Sequence, residues 1–94
     1  MAKKVVSFKK TCSACPSQWE GTLKKGQMFY IRYRWGGLSL RISPKSTNNV
    51  IEAVSGEEVC YTALGEQYDG VLSTKDMKKK LKNYLNFSDA VRII

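Results

Sequence analysis

The sequence predicts an α+β fold, an antiparallel β-meander of three or more strands with two helices packed on one of its faces. Residues 28–43, MFYIRYRWGGLSLRIS, alternate apolar and polar side chains on either side of a glycine pair, the pattern of a β-hairpin. Two later segments change period. Val50, Ile51 and Val54 share one side of a short helical stretch, and Met77, Leu81, Tyr84 and Leu85 recur at helical spacing.

In chain order, residues 1–10 form either a flexible arm or an edge strand, and Pro16 closes this segment. SQWEGTL alternates weakly, and KKGQ turns the chain with Gly26 available for positive φ. The hairpin strands MFYIRYRW and LSLRIS follow, with Pro44 ending the second. In STNNVIEAVSG, Ser46 or Thr47 caps a helix that Gly56 stops. EEVCYTAL is a further strand and GEQYDG a loop. Ser73 or Thr74 caps the second helix, KDMKKKLKNYLN, and AVRII is a last strand docked on a sheet edge. With no repeat, linker or low-complexity tract, residues 1–94 read as a single domain.

Taking Gly36-Gly37 as a two-residue loop sets a register. Trp35 pairs with Leu38, Tyr33 with Leu40 and Ile31 with Ile42 on the apolar face. The other face pairs Arg34 with Ser39, Arg32 with Arg41 and Tyr30 with Ser43. Adding the preceding strand through a KKG loop places Trp19 beside Ile31, with Gln18, Glu20 and Thr22 on the polar side. The expected core is Phe29, Ile31, Tyr33, Leu38, Leu40 and Ile42 against Val50, Val54, Leu81 and Leu85.

Charge is distributed unevenly. Residues 1–46 carry ten Lys/Arg against the single acid Glu20, a net +9, whereas residues 47–94 carry six against seven acids, a net −1. Such a basic half suits an anionic partner. Arg32, Arg34 and Arg41 supply guanidinium forks that bind phosphate oxygens in pairs, and Tyr30 supplies a ring on which a base can stack. Trp19 and Trp35 join this candidate site if a hairpin tip is exposed. The structural alternative has the arginines covering the sheet with their stems and pairing with Glu20, Glu52, Glu57 or Glu58. Lys78, Lys79, Lys80 and Lys82 read as the solvated side of the last helix, with non-specific attraction to nucleic acid as their other role.

No catalytic residue is assigned. The chain has no histidine, which removes imidazole-based triads, and it has neither a Walker loop nor a GxGxxG motif. Cys12, Cys15 and Cys60 are an odd set without a fourth ligand of the usual kind, so no metal and no cofactor is expected and the thiols read as reduced. No apolar run approaches the roughly 20 residues of a membrane span, and no secretory h-region precedes the domain, so the chain reads as cytoplasmic with no membrane partner.

The strings CPSQWEG (Cys15 to Gly21), YIRYRWG (Tyr30 to Gly36) and LSLRI resemble a group of small, mostly uncharacterised proteins of bacteriophages and prophages. The resemblance covers about residues 15–43 and implies context rather than chemistry, so neither an activity nor a site residue comes with it. Small phage accessory proteins often counter host defence by binding a defence protein or by sequestering a nucleotide immune signal. The combined expectation is a non-enzymatic protein of the host cytoplasm that captures a small anionic, nucleotide-like ligand. An RNA- or DNA-binding module and a protein–protein inhibitor of a host defence factor are the alternatives, and a homo-oligomer is compatible with each.

Overall fold

The computed structural model describes residues 2–12, 17–34, 36–63, 72–88 and 90–93, the side chains of Cys12 and Val50 apart. Seven strands form one mixed sheet: β1 (Lys3–Cys12), β2 (Ser17–Leu23), β3 (Met28–Arg34), β4 (Gly37–Ile42), β5 (Glu57–Ala63), β6 (Leu85–Asn86) and β7 (Val91–Arg92). Two short helices, α1 (Val50–Val54) and α2 (Thr74–Lys80), interrupt the second half, so the fold is mostly β. Strands β1 to β5 run as an antiparallel meander. The last two strands then return beside β1 in parallel, β6 along Lys3–Lys4 and β7 along Ser7–Phe8. β1 thus pairs with β2 from Val5 onward and with the returning chain at Lys3–Lys4 and Ser7–Phe8.

Period-two alternation decides which side of the sheet is dry. β2 and β3 alternate buried and half-buried positions along almost their whole length. The buried set is Trp19, Phe29, Ile31, Tyr33, Leu38, Leu40 and Ile42, joined by Val5, Phe8, Met77, Leu81 and Leu85. Trp19 pairs with Ile31, as the KKG loop requires. Phe8 and Phe29 both present ring edges to Phe87, at 5.2 and 6.3 Å between centroids. Two lysines lie over the aromatic margin of this core: Lys78 Nζ is 4.8 Å from the Phe8 ring centre, and Lys10 Nζ is 5.1 Å from that of Trp19. Lys78 is therefore only partly a solvated helix residue.

The hairpin register differs from the expected one. Arg34 pairs with Gly37, so residues 35 and 36 separate the strands and Gly37 belongs to β4. Arg32 lies opposite Ser39 and Arg41 opposite Tyr30, which removes the expected Arg32–Arg41 pair. The slip is two residues, and because side chains alternate with period two, every residue keeps its face. Gly36 takes the left-handed turn position with φ 75°, where a β-carbon is disfavoured. Gly37 is needed for a different reason: a β-carbon there would run into the Tyr61 ring and hydroxyl.

The helices are shorter than their periodicity suggests. α1 begins at Asn49, whose side chain accepts from the Ile51 N–H, and not at Ser46 or Thr47. Thr47 instead donates to Glu52 at 2.5 Å, and Ser46 donates to the Lys25 carbonyl. With five residues, α1 buries only Ala53 among its described side chains, leaving Ile51 and Val54 66% and 43% exposed. Val54 is thus not a core residue. α2 is capped by Ser73, whose hydroxyl accepts from the Asp76 N–H, and it ends at Lys80. Tyr84 lies beyond the helix and is exposed, while Leu85 enters the core from β6. The GEQYDG loop lies outside the described residues.

Candidate anion-binding face

The side of the sheet opposite the core is organised in rows, because paired positions on neighbouring strands point the same way. One row runs Lys9, Glu20, Tyr30, Arg41, Glu58 across five strands. Its charges alternate in sign. Lys9 Nζ lies 3.3 Å from Glu20 Oε1, and Arg41 Nη1 donates to the Gly56 carbonyl at 2.9 Å. Positive charge in this row is answered within the fold.

The next row runs Gln18, Arg32, Ser39, Tyr61 and contains no carboxylate. Beyond it, Arg34 is paired with Gly37, and Gly37 with Ala63. Arg32 Nε is buried and has no hydrogen-bond partner. A buried donor left unmet costs about 1–3 kcal/mol, and more when charged, so this guanidinium is under-satisfied in the free protein. Tyr61 is 63% exposed and pairs with Ser39, which in turn pairs with Arg32, and its ring lies over the space that Gly37 leaves empty. A guanidinium without a carboxylate in its row, one strand away from an exposed aromatic ring, can take the phosphate of a ligand whose base stacks on that ring.

The structure divides the six residues expected at this site. Arg32 stands in the row that contains no carboxylate, Arg34 lies one pair further along β3 opposite Gly37, and Tyr30 and Arg41 stand in the compensated row. Trp19 does not belong to the site: it is fully buried on the opposite side of the sheet, with Nε1 donating to Thr74 Oγ1 at 3.0 Å. Trp35 lies outside the described residues. Tyr61 is the residue that sequence reasoning overlooked. The signal was the alternation in EEVCYTAL, which turns Tyr61 outward once Cys60 is assigned to the core.

Cys60 is a free, buried cysteine with Sγ 3.6 Å from Thr62 Oγ1. The phenol of Tyr84 beside it is held above its ordinary pKa of 10.0, first by the hydrogen bond with Cys60, then by the charge that the thiol would carry, and least by burial. Cys15 and the Cys12 side chain lie outside the described residues. Among the described residues no group of three His, Cys, Asp or Glu side chains is placed to hold a metal ion, and no helix is long and apolar enough to cross a membrane. No protein-family model, curated protein or solved structure matches this chain.

Proposed function

We propose that this is a non-enzymatic, phage-type binding protein that captures a small phosphorylated, nucleotide-like ligand on the sheet face around Arg32, Arg34 and Tyr61. The observation that carries the reading is the buried, unpartnered Arg32 Nε in a row without carboxylates. In this reading both helices lie on the core side and leave the arginine side open. Tyr61 stacks the base, Arg32 and Arg34 hold phosphate, and Tyr30 and Arg41 flank them. Sequestration of a host immune nucleotide in the bacterial cytoplasm is the role this suits, since capture requires affinity and abundance but no catalytic base.

A nucleic-acid strand is the second reading. It is favoured by the continuity of β3 with the basic turn at Lys24 and Lys25, which would let a longer polyanion follow the face. Calorimetric titration of the wild type with a panel of cyclic nucleotides and short oligonucleotides separates the two. Saturable one-to-one binding of a nucleotide, lost in Arg32→Ala and Tyr61→Ala, supports the first. Binding of oligonucleotides alone, falling steeply with salt, supports the second. If neither class binds, both readings fail.

A further inference from the structure

The dry side of the sheet turns polar at the end where β3 and β5 begin. Lys3 pairs with the buried Leu85, Glu57 pairs with the buried Ile42, and Gln27 precedes the buried Phe29 by two residues. All three therefore stand on the core side, at its rim. They border a cavity of about 620 Å³ together with Glu52 of α1 and with Pro44. Gln27 Nε2 donates to the Ser43 carbonyl at 2.7 Å, and Glu52 accepts from the Thr47 hydroxyl, so two of the polar side chains are held in place.

Opposite charges share this cavity without meeting. Among the described residues, Lys3 forms no ion pair with Glu52 or Glu57. Strand order supplies the reason for Glu57. β1 and β5 are separated by three strands, about 19 Å at ~4.8 Å per interval, which exceeds the combined reach of a lysine and a glutamate. Lys3 also borders a smaller cavity with Lys24 and Lys25, where like charge repels it, so its ammonium favours the side of the two carboxylates.

We propose that this larger cavity binds a short peptide of two or three residues with both termini free. The peptide ammonium meets Glu52 and Glu57, and the peptide carboxylate meets Lys3. A single amino acid carries its two charges too close together to reach both sides. An extended chain covers about 3.3–3.6 Å per residue, so two or three residues bridge what the protein side chains leave. Gln27, with its amide N–H turned to Ser43, keeps its side-chain oxygen to accept a peptide N–H. Ile42 lies opposite Glu57 and Val59 lies two residues beyond it, so the residue bearing the ammonium is apolar. The volume falls within the ~300–1,000 Å³ of ordinary small-ligand sites. Arg32 lies on the other side of the sheet, so a peptide here is independent of any ligand there.

Valyl-glycyl-glycine is the probe, by titration calorimetry and thermal shift, with its N-acetyl form, its C-terminal amide and free valine as comparisons. The wild type should bind the free tripeptide saturably and melt at higher temperature. Each comparison compound should bind at least about tenfold more weakly. Glu57→Gln should weaken the free tripeptide by about tenfold and leave the N-acetyl form unaffected, because the contact it removes is the one to the ammonium. Lys3→Gln should do the same for the free tripeptide and leave the amide unaffected. Both residues are exposed, so the circular dichroism spectra should not change. Should Glu57→Gln fail to fold, Glu52→Gln carries the same expectation. The proposal is overturned if the tripeptide does not bind, if either blocked form or valine binds as well as the tripeptide, or if the folded variants bind it like the wild type.

Discussion

Arg32 and Arg41 occupy the same face of the same sheet on adjacent strands, yet their surroundings give them opposite roles. Arg41 stands between Tyr30 and Glu58 and donates to the Gly56 carbonyl, so its charge and one of its donors are already used. Arg32 stands between Gln18 and Ser39, without an acid in its row and with Nε buried and unmet. An arginine of the first kind stabilises a fold. One of the second kind costs stability in the free protein and recovers it when an anion arrives. Residue type and face are thus insufficient to mark a binding site; the cross-strand neighbours decide.

The largest expected effect tests the frame on which both arginines stand. Ile31, fully buried between Trp19 and Leu40, should cost about 2–5 kcal/mol when truncated to Ala, measured by urea denaturation. A loss below about 0.5 kcal/mol would mean that the two faces are reversed.

Gly37→Ala sharpens the contrast at the Arg32 end. The added methyl meets the far end of the exposed Tyr61 side chain, which must swing aside at little cost in stability. Nucleotide affinity should fall, because the ring leaves its place over Gly37. Unchanged affinity in Gly37→Ala would remove Tyr61 from the site.

The comparison itself is broken or kept by the two arginine variants. Arg41→Ala should lose about 1 kcal/mol of stability with the Gly56 bond, and change ligand affinity little. Arg32→Ala should melt within a degree or two of the wild type or slightly above it, while ligand affinity drops by about tenfold or more. Equal loss of stability in both variants would show that Arg32 is also structural.

The smallest effect lies off this face and serves as its control. Tyr84 has a raised pKa in the folded protein, so the native state holds the phenol proton more tightly than the unfolded chain. This contribution is fully present below the unfolded value near 10.0 and is lost as pH rises through the folded one. Stability should therefore fall with pH in that alkaline window, and Tyr84→Phe should flatten the fall without altering ligand binding at neutral pH.

Much of the fold was legible in local pattern. Alternation in SQWEGTL, MFYIRYR and LSLRI assigned each residue to the wet or dry side, since a strand's two faces follow from its own sequence with period two. The same periodicity hid the register. A slip by two residues preserves both faces, so no local signal could tell whether Arg32 met Arg41 or Ser39. Helix extent was also illegible: Val54 has the right spacing for burial, but a five-residue helix turns only Ala53 inward among its described side chains. What only the tertiary structure decided are the non-local pairings. β5 beside β4 lays Tyr61 over Gly37, and the strand order puts Lys3 and Glu57 on one cavity from opposite ends of the meander. Composition alone set the excess of positive charge in residues 1–46, because charge is a sum over residues. Its division into an answered and an unanswered row depends on which strands meet, and contacts between distant segments leave no periodic trace in the chain.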